Sequence, residues 1–114
     1  MDIVNAQITK TFLGIEDHGI MTFYIYIRLQ GGSCGIGGYS LQEYNEQQEK
    51  ITYSDKGLDA IKQILDVVGV DSWEELKGKY IRVKDNGWGE SIDEIGNLIE
   101  NKWFNLRKFF QENK

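Results

Sequence analysis

A chain of 114 residues, 40% hydrophobic and 27% charged, has room for one globular domain with a modest core and little room for a second. Its net charge of −5 and its singly scattered lysines argue against sequence-independent binding to DNA or RNA, which needs clustered positive charge. The single cysteine, Cys34, excludes an internal disulfide, and no apolar run approaches the ~20 residues of a membrane span.

Positions 3 to 12 alternate imperfectly, with Val4, Ala6 and Ile8 on one side and Asn5, Gln7 and Thr9 on the other, which predicts a first strand. The start, MDIVNAQITK, lacks the basic and apolar segments of a signal peptide, so a cytoplasmic protein is expected. IEDHG at 15 to 19 predicts a chain reversal. Residues 20 to 29 then alternate strongly. Met21, Phe23, Ile25, Ile27 and Leu29 form a core face; Thr22, Tyr24, Tyr26 and Arg28 form a half-wet, aromatic one.

The next stretch, GGSCGIGGY at 31 to 39, is unusually bare. It fits a loose hairpin connection or bulge, and it also fits a backbone nest for an anion. It matches neither the Walker pattern nor the Rossmann fingerprint. A third, glycine-weakened strand is expected from Gly35 to Leu41, followed by a polar loop or edge hairpin, YNEQQEKITYSD.

From Gly57 the period changes, and Leu58, Ile61, Ile64, Leu65 and Val68 predict a helix, with Ser54 or Asp55 as N-cap and Gly69 as its stop. Ser72 and Glu75 fit a capping box opening a short helix that stops at Gly78, and KYIRVK alternates as a strand. DNGWG predicts a hairpin turn. Residues 90 to 99 fit both a helix and a strand, and the preceding strand and turn favour the strand. NLRKFFQENK predicts a terminal helix with Leu106, Phe109 and Phe110 inward. The expected fold is α+β: an antiparallel sheet with one main helix and shorter C-terminal helices packed on one face.

Candidate chemistry is sparse. Glu16, Asp17 and His18 could do acid–base work, but neighbours in a turn seldom converge on one substrate atom, and a turn closed by Asp17 is the commoner arrangement. One histidine cannot build the multi-imidazole zinc sets, so no metal is expected. Cys34 has no evident base beside it. Tyr24, Tyr26 and Arg28 could stack a base and hold a phosphate; they could equally line a dimer interface. WFNLR at 103 to 107 repeats those ingredients with Trp103, Phe104 and Arg107, and could instead anchor the terminal helix. Arg82 completes the three arginines able to hold phosphates.

ITKTFLGIEDHGIMTFYIYIRL, then GGYSL, then GLDAIKQILDVVGVDSWEELKGKYIRV through to IENKWF, resembles a family of small phage and prophage proteins. That family is similar to the anti-Thoeris sponge proteins, which sequester cyclic ADP-ribose signals and whose relatives also hold cyclic oligonucleotides. The resemblance implies a homo-oligomer in the cytoplasm of an infected bacterium, without catalysis or cofactor and with ligand pockets between subunits. By motif it points to Asp17, His18, Gly37, Gly38, Tyr39, Trp103 and Phe104. The second glycine turn, DNGWGES, does not align with the family pattern.

Two functions are therefore expected to compete. One is capture of a cyclic nucleotide-like immune signal without cleaving it, with no membrane or direct nucleic-acid partner. The other is an acidic protein-binding inhibitor such as an anti-CRISPR, in which Glu43, Glu46 and Glu49 imitate phosphates and occlude a host nucleic-acid channel.

Overall fold

The computed structural model describes residues 2–53, 55–87 and 89–112. Ser54, a candidate N-cap, and Trp88, in the second glycine turn, lie outside them. Six strands form the main sheet: β1 (Asp2–Ile15), β2 (Met21–Leu29), β3 (Gly32–Gly37), β6 (Tyr80–Asp85), β7 (Glu94–Gly96) and β8 (Trp103–Asn105). Their order is β3-β2-β1-β6-β7-β8, and all neighbours are antiparallel. A separate hairpin pairs β4 (Gln42–Asn45) with β5 (Lys50–Tyr53), and the helices are α1 (Asp55–Val68) and α2 (Leu106–Glu112). The α+β expectation holds, and among the described residues no helix is long and apolar enough to cross a membrane.

Alternation along each strand decides where the core sits. Phe23, Ile25 and Ile27 of β2 meet Ala6 and Ile8 of β1, Ile36 of β3, Ile81 and Val83 of β6, and Ile95 of β7, all at most 2% exposed. Helix α1 closes this face with Ala60, Ile64 and Val67; of the expected stripe only Ile64 is fully buried, Ile61, Leu65 and Val68 are half-buried against the core, and Leu58 is 74% exposed. Beyond Val68, Gly69 turns left-handed at φ 89°. Its N–H and that of Val70 both donate to Leu65 O, ending the helix as its sequence implies. Helix α2 adds Leu106, fully buried, and Phe110, whose ring lies 6.3 Å from Phe23.

Several boundaries differ from the sequence reading. The third strand starts at Gly32 rather than Gly35, because Gln30 and Gly31 make a two-residue turn that pairs Leu29 with Gly32 at once. It ends at Gly37 because Gly37 and Gly38 take φ of 116° and 85°. The Ser72 segment forms one 3-10 turn, Trp73–Glu75. Its cap makes no side-chain bond to the backbone; the Ser72 hydroxyl donates instead to Glu75 Oε1 at 3.1 Å. Thr22, expected on the wet face, is 2% exposed and donates to Tyr39 O at 2.6 Å. The strand reading of 90 to 99 holds only for Glu94–Gly96, which buries Ile95 and leaves Ile99 86% exposed.

The glycine at 37 has a steric cause. A Cβ there would lie 2.6 Å from Phe23 O, in a backbone conformation that L side chains rarely adopt. Gly32 has neither constraint. In urea unfolding, Gly37→Ala should lower stability by on the order of 2 to 3 kcal/mol, whereas Gly32→Ala should stay within about 0.5 kcal/mol. Equal losses for the two would contradict this placement.

Candidate functional site

Residues opposed in an antiparallel ladder point to the same side of the sheet, so the register specifies what occupies the face opposite the helices. Three cross-strand rows define it. Tyr24 stands between Gly37 and Phe12, Tyr26 between Gly35 and Lys10, and Arg28 between Ser33 and Gln7, with Tyr80 next to Gln7. Further along, Asn5, Arg82, Gly96 and Trp103 form one row, and Ile3 with Lys84 begin another. This open face carries Lys10, Arg28, Arg82 and Lys84, so a chain of negative net charge presents a locally basic, aromatic surface.

Two aromatic stations stand on it. In the first, the Tyr24 and Tyr26 rings stack at 5.8 Å and 22°, and the Lys10 ammonium lies 5.6 Å from the Tyr26 ring. Glycines in and just after β3 make room: a Cβ on Gly35 would be 3.4 Å from Tyr26, and one on Gly38 3.0 Å from Tyr24. Arg28, exposed, donates to Gln7 Oε1 at 2.6 Å, which holds the guanidinium above the sheet next to the stack. A shallow cavity of about 260 Å³ adjoins it, between Arg28, Gln7 and Tyr80.

In the second station, Trp103 lies flat over Gly96, with the Arg82 guanidinium 5.0 Å and the Lys84 ammonium 4.9 Å from its ring. Here the arginine is committed. Arg82 Nε donates to Asn97 O at 2.7 Å and Nη2 to Glu100 O at 2.8 Å. Lys84 is paired with Glu94 at 3.0 Å. Four strand spacings of about 4.8 Å separate β2 from β8, so the stations are roughly 19 Å apart across the strands and are further offset along them, one level with Lys10 and Phe12, the other with Asn5.

The remaining candidates lie elsewhere. Phe104 faces the core at 5% exposure, because it alternates with Trp103. Tyr39 is on the helix side, stacked on Phe110 at 4.5 Å, with its hydroxyl in the field of Asp93 and Arg107. Burial, and then the Asp93 charge, push that hydroxyl's pKa up. Arg107 is itself paired with Asp93 at 3.3 Å.

Asp17 and His18 occupy the tip of the β1–β2 turn. Glu16, rather than Asp17, closes it by accepting from His18 N–H at 2.7 Å and Ile20 N–H at 3.4 Å. Its desolvation opposes ionisation, but these bonds and the His18 ring hold the carboxyl below its usual range. The Gly38 N–H, a possible anion donor, is spent on Phe23 O at 2.7 Å. Burial, and then the charge of Asp85, raise the Cys34 thiol. Among the described residues no three histidine, cysteine or carboxylate side chains are grouped to hold a metal.

Sequence reasoning missed Asn97, which organises the second station. Its side chain donates to Val67 O at the end of α1 and accepts from Ile99 and Glu100 N–H, while its carbonyl receives Arg82. The short spacing Asn97 to Glu100 was a turn signal, masked by the isoleucines around it. Compared with known families, curated proteins and solved structures, the chain matches none.

A Cβ on Gly96 would lie 2.5 Å from Trp103 Cε3, so Gly96→Ala must lift the indole off the sheet. Its tryptophan emission should shift to the red relative to the parent, and this shift should vanish in a Trp103→Phe background. Unchanged emission in Gly96→Ala would contradict the packing described.

Proposed function

We propose that the chain is a non-catalytic binding protein that holds a nucleotide-type anion on the open face of its sheet. The observation that carries this reading is the first station: two stacked tyrosines, a lysine over one ring and an exposed arginine in adjoining rows. Purine faces stack on such rings, and a guanidinium binds phosphate through two N–H groups. The finer reading follows from the resemblance of the sequence. In it the ligand is a cyclic nucleotide-like immune signal, a cyclic ADP-ribose isomer or a cyclic oligonucleotide. A phage protein would capture it intact in the infected cell and so silence the host's defence.

Magnitudes constrain how such capture works. A nanomolar Kd corresponds to about −12 kcal/mol. Stacking contributes about 1 to 3 kcal/mol per base and a charge-assisted hydrogen bond about 1.5 to 3, against association costs of about 4 to 15. One flat station falls short, so tight sequestration requires a second surface closing over the ligand, which a homo-oligomer supplies only where it apposes two such faces.

The competing reading, an acidic inhibitor of a nucleic-acid-binding protein, draws on Glu43, Glu46 and Glu49, all exposed on the β4–β5 hairpin. They are confined to that hairpin, whereas the aromatic and basic groups span the main sheet.

Calorimetry with cyclic ADP-ribose and with a cyclic dinucleotide tests the proposal. Tyr26→Ala and Arg28→Ala should each weaken binding about 10- to 100-fold, and the exposed Arg28 should do so with an unchanged unfolding midpoint. Mass spectrometry of the boiled complex should return intact ligand. Variants that bind like the parent would refute the site, degraded ligand would point to a hydrolase, and salt-sensitive binding to a basic protein without nucleotide binding would favour the inhibitor.

A further inference from the structure

Strand β1 is 14 residues long, yet its two sides are paired over different stretches. On one side β2 accompanies it from Gln7 to Ile15; on the other β6 accompanies it only from Asp2 to Gln7. The last backbone contacts on the β6 side are at Ile8, which donates to Lys79 O at 2.8 Å and accepts from Gly78 N–H at 2.7 Å. From residue 10 to residue 15 that side of β1 meets no strand among the described residues. An extended strand directs alternate N–H and C=O groups to such an edge, and these groups template another strand unless something protects them. The segment KTFLGI has no proline and a single charge.

The apolar side of the same segment is also incompletely covered. Thr11, Leu13 and Ile15 point to the helix face by register, but Leu13 remains 38% and Ile15 58% exposed. Leu13 belongs to an apolar cleft of about 230 Å³ with Met21, Leu41, Tyr53, Leu58 and Ile61, and Leu58 is 74% exposed. Open main chain and uncovered apolar side chains therefore coincide at one edge.

We propose that this edge pairs with the same edge of a second copy, antiparallel across a twofold axis. A twofold perpendicular to the sheet keeps both helix faces on one side, so only residues of like facing can be opposed. Any residue on the axis meets that condition, and Phe12 and Leu13, at the middle of the open stretch, keep most of it paired. With Leu13 there, Thr11 opposes the partner's Ile15, Phe12 the partner's Gly14 and Lys10 the partner's Glu16. The last pair brings opposite charges together, and the glycine leaves space for the ring facing it. With Phe12 there, Lys10 would oppose glycine and its charge would gain nothing. The charges select the Leu13 register.

The two sheets then continue as one, and each copy's Leu13 and Ile15 cover the other's apolar edge. The two Tyr24–Tyr26 stations come to lie on one open face, three strand spacings or roughly 14 Å apart across the strands and offset along them. The pairing itself does not depend on what those stations bind.

Residue 13 facing its own counterpart gives a specific test in sedimentation velocity. The parent should sediment as a dimer of the 13.2 kDa chain. Leu13→Lys and Leu13→Glu, each alone, oppose like charges on the axis and should raise the dissociation constant on the order of a hundredfold, giving monomers. Mixed in equal amounts, the two variants should reassociate as a heterodimer, which misfolded chains would not do. A monomeric parent, variants as dimeric as the parent, or a mixture that stays monomeric would each overturn the proposal.

Discussion

A sheet has two faces, and this chain carries enough helix to cover one. Helices α1 and α2 close over Phe23, Ile25, Ile27, Ile81 and Ile95. Side chains alternate along every strand, so burying that set commits the intervening residues to water. The intervening residues are what distinguishes the molecule. Where a strand face merely needs to be wet, lysine, threonine and glutamate suffice; here the positions hold Phe12, Tyr24, Tyr26, Tyr80 and Trp103 with Arg28 and Arg82.

The bare stretch that follows β2 acquires its meaning from this arrangement. Its glycines are not a nest of free donors. Gly37 and Gly38 bring the chain against Phe23 O, and Gly35 and Gly38 lie beneath the tyrosine rings. Gly96 does the same for Trp103. Each aromatic station thus rests on glycine, which lets large rings lie low over the sheet instead of standing up from it. The two stations differ in what their cations can still do. Arg82 is bound to two backbone carbonyls and stiffens the 97–100 turn, whereas Arg28 has one side-chain partner and faces solvent. The first station is therefore the one able to take an anion without dismantling part of the fold.

Much of the fold was legible because its strongest signals are periodic. The alternation of β2 and the 3.6-residue pattern of α1 located both elements, although Thr22 is buried on the side expected to be wet and Leu58 is exposed on the side expected to be core. The β8 strand was not legible: three residues, Trp103 to Asn105, carry no period, and their pairing with β7 depends on the Asn97 turn. For the site, sequence facing correctly grouped Tyr24, Tyr26 and Arg28. It could not separate Trp103 from Phe104, which alternate to opposite faces, nor place Tyr39 and Arg107 on the helix side around Asp93. Those distinctions arise from tertiary contacts between segments far apart in the chain.

On the proposed reading the ligand binds the open face of the sheet and not the helix side. Backbone amide shifts of labelled protein titrated with cyclic ADP-ribose, and separately with a cyclic dinucleotide, test it most directly. The predicted result is saturable shifts along β2 and β3, centred on Tyr24, Tyr26 and Arg28, with residues around Tyr39 and Arg107 unmoved. Shifts confined to the helix side, or none with either ligand, would contradict it.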